Sequence, residues 1–84
     1  MEEYVYPAIF SGNDDGSYTI TFPDLPGCIS ESKTLANALY MAHGALSQWI
    51  GYLMDKNQTI PEATELDAIE TQKGEFVNLI RAAV

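Results

Sequence analysis

The chain has 84 residues, enough for one domain. Its apolar fraction of 46% excludes a disordered tail. Its net charge of −8, from twelve acidic and four basic residues, excludes a surface built to hold nucleic-acid phosphates or anionic lipid.

One cysteine, Cys28, and one histidine, His43, exclude an internal disulfide and a Cys/His metal cluster. A core this small, with neither staple, is expected to be completed by subunit contacts, a dimer being the default homo-oligomer. The start, Met1-Glu2-Glu3-Tyr4, lacks the basic and apolar regions of a signal peptide, and no apolar run is long enough to span a membrane. With the lone cysteine, this gives a cytoplasmic expectation.

Tyr4–Phe10 is rich in β-branched and aromatic residues and reads as a strand. Pro7 has no N–H to give to a ladder, so this strand lies at an edge or is unpaired at that residue. Gly12-Asn13-Asp14-Asp15-Gly16 is a turn cluster whose Asp15-Gly16 pair signals a hairpin. In Ser17–Phe22, Tyr18, Ile20 and Phe22 share one face. Pro23 and Pro26 stop that strand and stiffen the loop Pro23-Asp24-Leu25-Pro26-Gly27. Cys28–Ser30 resumes an extended path, giving a three-stranded meander.

The period then changes from two to between three and four. Leu35, Ala38, Leu39, Ala42, Leu46, Trp49, Ile50 and Leu53 mark the buried stripe of one long helix. Thr34 is its N-cap and Asn57 its end. Gly44 and Gly51, inside it, suggest close approach of a neighbouring element. Ile60–Thr64 is a connector and Glu65–Glu70 a single helical turn. Glu75–Arg81 alternates and is the last strand. The fold expected is α+β of order β-β-β-α-β: an antiparallel meander plus a last strand, with one helix packed on the sheet.

Chemistry is sparse. His43 has no nucleophile at a recognisable spacing and reads as a helix-flank residue. Cys28 has no basic neighbour in sequence and reads as a small buried hydrophobe. Asp14, Asp15, Asp24 and Glu31 are the carboxylates from which a metal-dependent nuclease would draw its Mg²⁺ or Mn²⁺ ligands. Turn chemistry already accounts for Asp14 and Asp15. No catalytic residue, cofactor or metal is therefore assigned, and the chain reads as a binding module rather than an enzyme.

Three runs carry a resemblance: Tyr6-Pro7-Ala8-Ile9-Phe10, Asp15-Gly16-Ser17-Tyr18 and Phe22-Pro23-Asp24-Leu25-Pro26-Gly27-Cys28. With Thr34-Leu35, Ala38, Ala42, Ala45-Leu46 and Ile60-Pro61-Glu62-Ala63, they resemble the HicB antitoxin family over about residues 4 to 82. The resemblance implies a partial RNase-H-like fold of the same β-β-β-α-β order. It also implies a partner: a small basic HicA-type toxin that cleaves mRNA and is neutralised by direct binding. An acidic chain suits such a partner. Many members carry a C-terminal DNA-binding segment; residues 1–84 here are expected to form one domain without it, and to bind no nucleic acid by themselves.

Two sets of contact residues are expected. Asp24, Leu25 and Pro26, on the stiff loop, would meet the toxin with little loss of entropy. Tyr40, Met41 and Tyr52 flank the helix stripe and either mediate self-association or pack on residues 60–70. A metal-dependent nuclease and a stand-alone oligomer are the alternative functions.

Overall fold

The computed structural model describes residues 3–83. Strand β1 (Glu3–Gly12) pairs antiparallel with β2 (Tyr18–Thr21), and β2 pairs antiparallel with β3 (Ile29–Ser32). Helix α1 (Leu35–Asp55) follows, then a single 3-10 turn at Leu66–Ala68, then β4 (Glu75–Ala83). β4 returns to the other side of β1 and pairs with it from Glu3 to Ser11. The sheet order is β3-β2-β1-β4. This is the expected α+β fold with the expected element order.

Local chemistry sets each turn. In the β1–β2 hairpin, Ser17 donates its backbone N–H (3.0 Å) and its hydroxyl (2.6 Å) to Asp15 Oδ1, and Gly16 takes φ +89°. These bonds hold the Asp15 carboxyl below the usual range, the Ser17 hydroxyl first and its N–H second. Thr34 caps α1 by accepting from Asn37 N–H at 3.1 Å. At the other end Asn57 adopts φ +54°, and the Asn57 and Gln58 N–H groups close on the Met54 and Leu53 carbonyls. That paired closure is a Schellman cap, with asparagine where glycine is commonest.

Pro7 is not on an edge strand. β1 is central, but β2 pairs only with its second half, Ile9–Gly12. The missing Pro7 N–H therefore lies where β2 has already ended, which is the unpaired-spot alternative.

One face of the sheet takes the helix. Tyr6, Ala8 and Phe10 of β1, Ile20 of β2, and Ile80 and Ala82 of β4 are buried there. Against them lie Ala38, Ala42, Leu46, Ile50 and Leu53 of α1, at helical spacing. The buried stripe is narrower than the sequence pattern suggested. Leu35 and Leu39 are exposed and Trp49 is half-buried, because small Ala38 and Ala42 set the line of closest approach and rotate those larger side chains to the flanks. Gly44 and Gly51 have open space where a Cβ would sit, so the close approach expected at them is not found among the described residues.

Candidate functional site

The loop between β2 and β3 folds back on itself. Leu25 N–H donates to Phe22 O (3.0 Å) and Cys28 N–H to Leu25 O (2.9 Å). These two successive turns carry Leu25 into the core, where it is 1% exposed, and leave Pro23 and Pro26 facing solvent. The expected partner contact at Leu25 is thereby corrected: its side chain anchors the loop and presents no surface.

Asp24 is committed inward as well. Its carboxylate accepts from the Thr64 backbone N–H at 2.9 Å and from the Thr64 hydroxyl, 40 residues along the chain. Beside it, the Tyr6 hydroxyl donates to the Pro61 carbonyl. Burial, and then the Asp24 charge, hold the Tyr6 phenol above its ordinary range. Asp24 and Tyr6 thus fasten the connector after α1 to the sheet. Of the three expected loop residues, Pro26 alone is exposed.

Gly27 shapes the next step. It takes φ +97°, and a Cβ there would come within 3.1 Å of Trp49. The indole lies against bare backbone, which only glycine permits at both counts. Around this contact is a depression of about 400 Å³ lined by Gly27, Cys28, Ile29, Ala45, Gln48, Trp49 and Tyr52. A second, of about 360 Å³, shares Ile29, Ala45 and Gln48 and extends to Tyr40, Met41 and His43. Together they form one shallow groove between the open edge of β3 and the flank of α1. Ile29 is 60% exposed and Tyr40 72% exposed, and Met41 and Tyr52 are exposed beside them.

The groove gathers Tyr40, Met41 and Tyr52 and brings the Pro26-Gly27 turn to its rim. The alternative in which those three helix residues pack on residues 60–70 is not realised, since all three are exposed. Sequence reasoning missed Ile29. Its signal was available: an apolar residue paired with Thr21, out of phase with the core position Ile20 on a strand that has no outer neighbour.

Cys28 sits behind the groove, with its thiol donating to Ala45 O at 3.7 Å. Burial pushes that thiol up to about 11 from an ordinary 9.0. Below the ordinary value the thiol is neutral whether the chain is folded or not. Above it the unfolded chain ionises first, so this stabilisation is present below about pH 9 and is lost as pH rises towards about 11. Urea midpoints taken at about pH 8 and about pH 10.5 are expected to fall further for the native chain than for Cys28→Ala. Equal falls would contradict the burial effect.

Of the four carboxylates named for a nuclease, Asp15 and Glu31 line one shallow depression, and Asp24 is not part of it. Asp14 and Asp15 lie in the hairpin turn before β2, and Asp24 lies beyond its other end. Among the described residues no group of three His, Cys, Asp or Glu side chains is placed to hold a metal ion. His43 reaches β4 instead, its ring bonded to the Arg81 carbonyl.

A family model described as HicB-like antitoxin of bacterial toxin-antitoxin systems matches residues 6–84. The chain belongs to the HicB-like antitoxin family. A UPF0150 protein of Thermoplasma acidophilum is 36% identical over 56 residues, covering 67% of this chain and 81% of that one. The HicB antitoxin of Escherichia coli is 27% identical over 63 residues, 75% of this chain and 46% of its own length. Three of the relatives are longer than this chain by a wide margin: it spans 47% of a Haemophilus phage HP1 protein and 36% of a Photorhabdus laumondii HicB antitoxin as well.

Among solved structures, a Streptococcus pneumoniae toxin-antitoxin complex superposes with TM-score 0.85 at 16% identity, over 98% of this chain and 70% of that chain. A HicA3–HicB3 toxin-antitoxin complex gives 0.78 at 20% identity, over 96% and 100%. At these identities the structures establish the HicB fold. Among the described residues no helix is long and apolar enough to cross a membrane.

Proposed function

We propose that this HicB-like domain neutralises a small basic HicA-type toxin by binding it directly, and that it acts in the cytoplasm without chemistry of its own. The observation that carries the reading is the apolar groove between β3 and α1, on a chain of the antitoxin family. Its rigid aromatic walls, Trp49 and Tyr52, with rings 5.8 Å apart, suit the buried centre of a protein interface. The Pro26 turn and the helix flank border one groove, so we assign Pro26, Tyr40, Met41 and Tyr52 together to the toxin contact and add Ile29.

The acidity supports the same partner. Glu62, Glu65, Asp67 and Glu70 are all exposed on the connector, with no lysine or arginine between Asn57 and Gln72. Such a field draws a basic protein in and repels nucleic acid. Residues 1–84 are taken as one unit that needs no DNA-binding segment for neutralisation.

The test is co-expression with the small basic open reading frame adjacent in the genome. A stable complex that restores growth is expected. A folded domain that neither co-purifies with that product nor restores growth would overturn the reading.

A further inference from the structure

The central strand β1 is paired along its whole length on one side and only in part on the other. β4 pairs with it from Glu3 to Ser11, whereas β2 meets residues 9–12 and then ends. Beside the first half of β1, in the line that β2 vacates, lies a depression of about 360 Å³. It is lined by residues 3–6 of the strand and 60–63 of the connector. Two contacts hold the connector wall in place: the Tyr6 hydroxyl on the Pro61 carbonyl, and the Asp24 carboxylate on Thr64.

One bond fixes which backbone groups face this slot. Gly12 N–H donates to Gly74 O at 3.3 Å, so Gly12 turns its polar groups to the β4 side. Directions alternate along an antiparallel strand. Phe10, Ala8, Tyr6 and Tyr4 therefore bond to β4, and Ser11, Ile9, Pro7, Val5 and Glu3 face the other way. Ser11 and Ile9 meet β2 there. Pro7 has no N–H to give. Val5 and Glu3 turn their N–H and C=O groups into the slot, and among the described residues neither finds a backbone partner in it. The sheet thus keeps two residues of open edge, with a fixed wall across from them.

The carboxylates there set the sign of the charge. Glu3 and Glu62 line the slot and are exposed, and the Asp24 charge reaches Tyr6 at its inner end. Arg81 lies beside Glu3 at 3.6 Å, but both side chains are well exposed and water loosens the pair.

We propose that this slot binds an extended, basic segment of a partner protein, added as a strand antiparallel to β1. Its main chain bonds to Val5 and Glu3. The segment residue opposite Val5 shares that face of the sheet and is apolar, to cover a side chain 42% exposed. Two residues further along, opposite Glu3, stands a lysine or arginine. The residue between them turns to the face of Tyr6, where Ile60 and Pro61 give it an apolar seat. The pattern recognised is apolar, apolar, basic. The slot shares no lining residue with the groove beside β3, so it stands independently of the toxin reading.

The probe is a blocked pentapeptide, Gly-Val-Ile-Arg-Gly, titrated into the isotope-labelled chain up to about 5 mM and followed by NMR. Amide signals of residues 3–6 and 60–63 should shift, and the Val5 amide should exchange with solvent about tenfold more slowly, or slower still, once the slot is filled. The peptide with glutamate in place of arginine should bind at least about tenfold more weakly, and Glu62→Lys should weaken the arginine peptide. N-methylation of the peptide's valine removes the donor to the Val5 carbonyl and should abolish the protection. Shifts confined to Ile29, Trp49 and Tyr52 would place the peptide in the other groove and overturn the proposal. So would no shift at all, or equal binding of the arginine, glutamate and N-methyl peptides.

Discussion

A Phe10→Ala variant should lose about 3–5 kcal/mol of folding stability, the largest effect expected of any single substitution in this chain. Phe10 is fully buried on the central strand. It stands between Ile20 of β2 and Phe76 of β4 in register, and its ring stacks on Phe76 with centroids 5.0 Å apart and planes 3° from parallel. Truncation removes the apolar transfer term and leaves a cavity that neighbours on two strands cannot close without breaking register. A small domain holds roughly 5–15 kcal/mol in total, so the variant would sit near its unfolding threshold at 37 °C. Urea denaturation followed by circular dichroism measures this directly. Phe76→Ala, at a partly exposed site, should cost clearly less. A loss below about 1 kcal/mol for Phe10→Ala would mean that the packing between β1 and α1 is not as described.

The second large effect is on binding and leaves stability alone. Ile29→Asp should weaken the toxin complex by about 100-fold or more, because a carboxylate at the middle of an apolar groove loses its water without gaining a partner. The same change should move folding stability by only about 0.5 kcal/mol, since Ile29 is largely exposed in the free chain. Calorimetric titration of the variant into the toxin, with a melting curve as control, separates the two. An unchanged affinity in a folded variant would remove the groove from the interface and leave the acidic connector as the next surface to examine.

The parts of this fold that were legible in the sequence are those written in neighbouring residues. The Asp15-Gly16 hairpin, the Thr34 cap, the Asn57 terminus and the alternation of Glu75–Arg81 each rest on a few adjacent side chains, and each stands as read. What could not be read depends on residues far apart in the chain. Asp24 looks like a free loop carboxylate until Thr64 is placed against it. Leu25 looks like an exposed contact until two turns deliver it to the core. Leu35 and Leu39 share a helical stripe with Ala38 and Ala42, but periodicity gives the stripe and not its centre. The groove was half legible: its helix side was marked by Tyr40, Met41 and Tyr52, while Ile29 belongs to it only because β3 is an outer strand.

The contact between Trp49 and Gly27 has a practical side. This is the chain's one tryptophan, and its ring lies at the wall of the groove, half in water. Its fluorescence therefore reports on a single place. A protein seated beside β3 would strip solvent from the indole and move its emission to the blue, whereas a peptide taken up beside Val5, in a slot the indole does not line, would leave the spectrum where it was. One unlabelled optical signal can thus tell the two kinds of association apart as they happen, in the same cuvette.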